Sequence, residues 1–265
     1  MAVAEEHSGG VKLKTLLTVD WDYFVPEDPL YDLAHSESLA YLDMIWRARY
    51  GLVDKIVTSG AEKGFWKALG TFGKGTGLTY VSDSHMYAYG LLSGVDHVLL
   101  VDAHHDCWRE DSLGVESDTG RVYCHNWLRT WLTKSKKRSA TWMVPAWSDG
   151  HFSLPDDMKG RVEIIRGIEK WGDKPIDRVH VCRSGCWTPP WLDKQFIEFV
   201  NARGGMPIRQ QDGPWDPLKE RWTEADLAEV RNNEATMQDA LKGMKVGVMS
   251  SFMFSEAKVE LSEKA

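Results

Sequence analysis

Two short runs constrain the fold more than anything else in the chain. Residues 15–20 (TLLTVD) and 97–102 (HVLLVD) are near-continuous apolar stretches, and each ends on an aspartate. Runs of that length and character read as buried β-strands. Between and after them lie segments with helical periodicity. Residues 36–50 place Leu39, Leu42, Ile45 and Trp46 on one stripe, with Ser36 as a cap. Residues 62–69 predict a short helix closed by a Gly-rich turn, and residues 84–92 predict a helix starting after a polar turn. Residues 123–133 carry Trp127, Leu128, Trp131 and Leu132 on one face.

Further strands are expected at 140–145, 162–165, 179–182 and 245–250, and further helices at 191–202 and 223–242. Apolar strands alternating with helices imply an α/β fold, with a mostly parallel central sheet covered on both faces: three layers, αβα. In such sheets ligands bind at the carboxyl ends of the strands. The two strand-terminal aspartates therefore take priority over other polar residues. Residues 1–13 read as a mobile tail before a single catalytic domain over 14–265.

Composition removes several alternatives. Acids outnumber bases 39 to 32, a net charge of −7, which argues against a nucleic-acid partner. The most apolar stretch, residues 90–101, is interrupted by Asp96 and His97 and is far short of the ~20 residues of a membrane span. Residues 1–14 carry acids and no apolar core, unlike a secretory signal. The four cysteines (Cys107, Cys124, Cys182 and Cys186) form neither a disulfide framework nor a paired zinc motif, so reduced thiols and a cytoplasmic setting are expected. Trp is abundant, with 13 residues against 8 Phe and 8 Tyr, which hints at aromatic contact surface.

The chemistry concentrates in Asp102-Ala103-His104-His105-Asp106. Asp102, His104 and Asp106 alternate just past a strand, so their side chains project the same way. Carboxylates with an imidazole suit a borderline-hard divalent ion such as manganese. Asp20-Trp21-Asp22 repeats the alternation at the other strand end, and His85 opens a helix. Asp at a strand-to-helix turn is often only a cap. A cap does not explain a histidine between two acids. The six residues together supply enough ligands for two ions. His105 reads as a packing or supporting residue.

These motifs resemble the arginase/agmatinase ureohydrolase superfamily. Asp102-Ala103-His104-His105-Asp106 is similar to its D-A-H-x-D signature. Residues 83–90 (DSHMYAYG) resemble its histidine helix, and Thr18-Val19-Asp20-Trp21-Asp22 resembles its D-x-D motif. The D-x-D comes first here, whereas in classical arginases it comes last. That order, together with Trp187-Thr188-Pro189-Pro190-Trp191-Leu192-Asp193, most resembles the peptide arginases of ribosomal peptide natural-product (RiPP) pathways, which convert arginine to ornithine in a precursor peptide. The chain departs from the superfamily where Val81-Ser82 replaces a Gly pair and Asp83 stands two residues before His85. It departs again after Asp106, where the polar loop that holds a free amino acid is missing.

The resemblance implies an arginase-like fold and two Mn²⁺ ions. It implies that Asp20 and Asp102 bridge them, that His85 and Asp106 complete one site, and that His104 and Asp22 complete the other. It further implies hydrolysis of a guanidinium to urea and an amine, with Asp106 passing a proton to the leaving amine and His125 as a proton shuttle. Trp108, Trp187 and Trp191 flank candidate loops and are expected to form an aromatic platform for an arginine-containing precursor peptide. Core packing is the competing expectation for each of them. The carboxylate that pairs with the guanidinium is open among Glu27, Asp28, Glu110, Asp149 and Asp193. The main alternative is a small-molecule ureohydrolase acting on free arginine, agmatine or another guanidino compound. A metallophosphoesterase lacks its G-D-x-x-D and G-N-H blocks here. A non-enzymatic peptide-binding module would leave the clustered acids incidental.

Overall fold

The computed structural model describes residues 14–26, 39–70, 77–109, 121–148, 153–172, 175–209 and 216–243. The expected tail (1–13) and last strand (245–250) lie outside the described residues. The chain divides into two compact units, residues 1–222 and 223–265. The sheet and all six proposed ligands belong to the first. The second contributes one described helix, α5 (Glu224–Gly243). At its start the Thr223 hydroxyl and the Asp226 carboxylate cap each other's backbone N–H groups.

Among the described residues, the first unit is built on seven parallel strands: β1 (Thr15–Asp20), β2 (Leu78–Ser82), β3 (His97–Val101), β4 (Ser139–Val144), β5 (Val162–Arg166), β6 (Arg178–Cys182) and β7 (Met206–Arg209). Their order across the sheet is β5-β4-β3-β1-β6-β2-β7, and every neighbouring pair is parallel. All carboxyl ends therefore share one edge. β1 is buried at all six positions, as both-face coverage requires. The helices are α1 (Leu39–Val53), the single turn α2 (Phe65–Ala68), α3 (Trp127–Thr133) and α4 (Asp193–Ala202).

Period-two alternation sorts the sheet into two faces. On one, Leu16, Val98, Leu100, Ala140 and Trp142 pack with Ala88, Trp127, Leu128, Trp131 and Leu132. On α4, Phe196 and Phe199 meet Trp21, Phe24, Phe65 and Trp66, with ring centroids 4.8–5.6 Å apart. Such aromatic pairs contribute ~0.5–1.5 kcal/mol each beyond their buried area.

The strands at 140–145, 162–165 and 179–182 are present within a residue or so of expectation. β2 and β7 were not foreseen. β2 mixes polar and apolar residues (LTYVS), and β7 is a short edge strand with Pro207 in it. The helix expected at 84–92 is a 3₁₀ helix, His85–Leu91, and α3 starts only at Trp127. Most of the tryptophan is core: Trp21, Trp46, Trp127, Trp131, Trp142, Trp171 and Trp222 are all buried, which corrects the expectation of a tryptophan-rich contact surface.

Candidate metal centre

Register builds the centre. β1 and β3 pair as Val19↔Val101, so the next residues on each, Asp20 and Asp102, stand side by side at the carboxyl edge. The same row continues through Cys182 to Ser82 at the end of β2. Three residues beyond Ser82 the chain enters the 3₁₀ helix at His85. Asp22 follows Asp20 in a second 3₁₀ turn, Trp21–Phe24, while His104 and Asp106 follow Asp102. Asp106 has a positive φ of 48°, a left-handed conformation that costs a non-glycine residue on the order of 1 kcal/mol.

Two groups of potential ligands result. In the first, His85 Nδ1 faces three carboxylate oxygens: Asp20 Oδ2 at 3.1 Å, Asp102 Oδ2 at 3.0 Å and Asp106 Oδ2 at 2.9 Å. In the second, His104 Nδ1 lies 3.0 Å from Asp22 Oδ2 and 3.7 Å from Asp102 Oδ1. Asp102 belongs to both groups, one oxygen toward each. All six proposed ligands thus come together, and five of them are buried, with His104 partly exposed.

Electrostatics favour a cation here. Burial, and then the charge of Asp22, raise the Asp20 carboxyl to about 6. Burial and the charges of Asp106, Asp22 and Asp20 push Asp102 well above the usual carboxylate range. Burial opposes charge on His85, but Asp106, Asp102 and Asp20 hold its pKa well above that of a free imidazole. Neither His85 Nδ1 nor Asp102 Oδ2 makes a well-aligned hydrogen bond, although both are buried. A buried polar atom left in that state costs ~1–3 kcal/mol. One nitrogen cannot satisfy three acceptors, whereas a divalent ion held by oxygen and imidazole ligands satisfies all of them at once. These residues fit a metal ion.

The ligands are held from behind. Trp127 Nε1 donates to Asp106 Oδ2 at 2.5 Å, and its ring lies 5.1 Å from that of His85. Ala103 N–H donates to Asp22 Oδ1, and His104 N–H donates to Asp102 Oδ1. On the other side of His85, Nε2 lies 2.7 Å from Thr18 Oγ1. Thr18 in turn touches His180, and His180 touches Ser82. Sequence reading missed Thr18, His180 and Ser82. A histidine inside the apolar strand RVHVC was the available signal.

Other expected residues are placed as follows. His105 is fully buried, and its Nδ1 accepts the Cys107 N–H at 2.9 Å. Burial lowers its pKa to about 4, so it is a neutral packing residue. Trp108 packs on His105 at 4.7 Å, one residue away from the ligands. Trp187, partly exposed, packs on the ligand His104 at 4.9 Å. Trp191 is not brought to the ligands. Its ring packs on Trp46, Tyr50 and Trp222, and its N–H donates to Ile56 O, so packing accounts for it in place of the expected substrate contact. His125 is partly buried just before α3, stacked on Tyr123 at 5.4 Å, with its carbonyl accepting the Trp108 N–H.

Asp193 is also committed elsewhere. It holds the Arg221 guanidinium through both oxygens at 2.6–3.1 Å. Arg183, fully buried, donates to Asp83 Oδ1, which gives Asp83 a structural partner. Gly185 fits between these groups because a Cβ there would sit 2.8 Å from the Asp83 carboxylate. Glu27, Asp28, Glu110 and Asp149 lie outside the described residues.

None of the four cysteines forms a disulfide. Among the described residues no helix is long and apolar enough to cross a membrane. No family model, no curated protein and no solved structure matches this chain.

Proposed function

We propose that this chain is a dinuclear manganese hydrolase that converts peptidyl arginine to ornithine and urea, a post-translational modification of a precursor peptide. One observation carries the reading. Asp102 presents one oxygen to the Asp20–His85–Asp106 group and the other to the Asp22–His104 group. That is the arrangement a bridging carboxylate needs. The arginase-like identity of the fold, the metal and the cytoplasmic setting belong to the same proposal.

A guanidinium is resonance-stabilised and a poor electrophile. Two bound divalent cations would supply a water acidified toward neutral pH and the charge to hold it in place. The chain supplies the rest. Asp20, Asp22, Asp102 and Asp106 carry four negative charges that offset those of two divalent ions, so a cationic guanidinium is not repelled. Trp127 fixes Asp106, which delivers a proton to the departing amine nitrogen. The proton that Asp106 delivers comes from the attacking water, and His125 passes the water's second proton to the same nitrogen. Trp187, beside His104, offers an aromatic face to the aliphatic stem of the arginine. In the net reaction water adds across the bond between the guanidinium carbon and the side-chain nitrogen. The oxygen leaves in urea and the amine keeps the protons.

The test is mass spectrometry of arginine-containing peptides after incubation with Mn²⁺-loaded protein. The expected product is lighter by about 42 Da per site, with urea released. Rapid urea release from free arginine or agmatine, with peptides untouched, would establish the small-molecule reading instead.

A further inference from the structure

Behind His85 runs a fully buried chain of polar groups: His85 Nε2, Thr18 Oγ1, His180 Nδ1, His180 Nε2 and Ser82 Oγ. The steps between residues are 2.7, 2.8 and 2.8 Å, and the chain ends where Ser82 Oγ meets Ser84 O at 2.8 Å. Thr18, His85, His180 and Ser82 are each no more than 2% exposed. The sheet places them together. Thr18 pairs with His180 in the β1–β6 register, and Ser82 lies two residues beyond Tyr80, which also pairs with His180. Alternation then puts all three side chains on the face that carries Asp20.

Each link has only one consistent polarity. A carbonyl only accepts, so the Ser82 hydroxyl donates its single proton to Ser84 O. Ser82 Oγ must then accept from His180 Nε2–H. His180 meets two hydroxyls and no carboxylate, is buried, and sits 5.8 Å from the His85 ring, so it is neutral and its Nδ1 accepts from Thr18. Thr18, having donated its one proton, accepts from His85 Nε2–H.

We infer that Ser82, His180 and Thr18 form a hydrogen-bond relay that keeps a proton on His85 Nε2 and leaves Nδ1, which faces the Asp20–Asp102–Asp106 oxygens, as the nitrogen that would bind a cation. His180 and Thr18 are thus positioning residues for a cation at that group. The inference rests on the metal reading for its purpose, though not for its polarity. A ligating imidazole needs its other nitrogen held as a donor, and loss of such a partner typically weakens metal binding 10–100-fold.

Two measurements test it. The first is a long-range ¹H–¹⁵N correlation spectrum of metal-free, ¹⁵N-histidine-labelled protein. The expected pattern is His180 protonated on Nε2 and bare on Nδ1, with His85 carrying a proton on Nε2. The opposite tautomer at His180, or a doubly protonated His180, overturns the relay whether or not any metal binds. The second is Mn²⁺ titration of the full chain and its Thr18→Val and Thr18→Ser variants, with folding checked by circular dichroism. Thr18→Val should bind about 10–100-fold more weakly, and Thr18→Ser, which keeps the hydroxyl, should stay within a few-fold of the parent. Equal affinity of parent and Thr18→Val overturns the positioning role. A parent that binds no Mn²⁺ while His180 shows the expected tautomer refutes the metal reading and leaves the relay polarity standing.

Discussion

Replacing Asp20 by Asn should make the metal-free protein more stable at neutral pH. In the folded chain the Asp20 carboxyl is raised from 3.8 to about 6, first by burial and then by Asp22. Below 3.8 it is protonated in both folded and unfolded states and costs nothing. Between 3.8 and about 6 the unfolded chain releases this proton while the folded carboxyl keeps it, so stability is lost across that window and the loss is complete above about 6. The rise corresponds to an upper limit of about 3 kcal/mol at pH 7.5. Asn removes the charge and forfeits a weak contact, the Asp22 N–H donating to Asp20 Oδ1 at 3.3 Å, and the pairing of Asp20 Oδ2 with His85 Nδ1 at 3.1 Å, whose opposing effect the net rise to about 6 already includes. At about 2–4 °C per kcal/mol for a unit of this size, the metal-free variant should melt up to ~6–12 °C above the parent. The assay is thermal denaturation after chelation, from pH 4 to pH 7.5. The excess should shrink toward zero near pH 4. Added Mn²⁺ should reverse the order, because it stabilises the parent by about 2.7 kcal/mol at a hundredfold excess over Kd and the variant much less. A metal-free variant less stable than the parent at pH 7.5, or one that Mn²⁺ stabilises equally, would refute the claim that these carboxylates are held together for a cation.

Other expected outcomes follow from the same geometry. Mn²⁺ affinity should fall by about tenfold or more per pH unit below about 6, as Asp20 takes up a proton and Asp102 and His85, whose pKa values are also raised, hold theirs; a titration flat from pH 7 to pH 5 would contradict this. His125→Ala should slow turnover while leaving metal content unchanged, read by single-turnover assay beside metal analysis; loss of metal would show that His125 serves as a ligand. Trp187→Ala should raise KM for an arginine peptide with little change in melting temperature, because its ring lies against His104. Trp191→Ala should do the reverse, destabilising the fold by about 3 kcal/mol and leaving KM alone, because its ring and N–H are engaged with Trp46, Tyr50, Trp222 and Ile56.

The strands that carry the site were legible because they are buried on both faces. TLLTVD and HVLLVD have no competing helical reading, and their terminal aspartates mark the carboxyl edge that parallel pairing lines up. β2 and β7 were not legible, since LTYVS and MPIR lack an apolar run and depend on pairing with β6 and β2 for their shape. The six clustered candidate ligands could be named because alternate residues past a strand point one way. What lies behind them could not. Thr18 and His180 are 162 residues apart and meet only through the β1–β6 register. Tryptophan was the least informative residue type. Trp187 and Trp191 look equivalent in sequence, yet a four-residue displacement across the Pro189-Pro190 turn puts one beside a ligand and the other among core rings.

In the proposed function Asp102 joins the two candidate ligand groups into one dinuclear centre. Metal analysis of the purified full chain after Mn²⁺ loading and desalting, beside Asp102→Ala, tests it most directly. The expected result is two Mn²⁺ per parent chain and loss of both from the variant, because each group loses the shared carboxylate. A parent chain that retains no Mn²⁺, or an Asp102→Ala chain that retains as much as the parent, would contradict it.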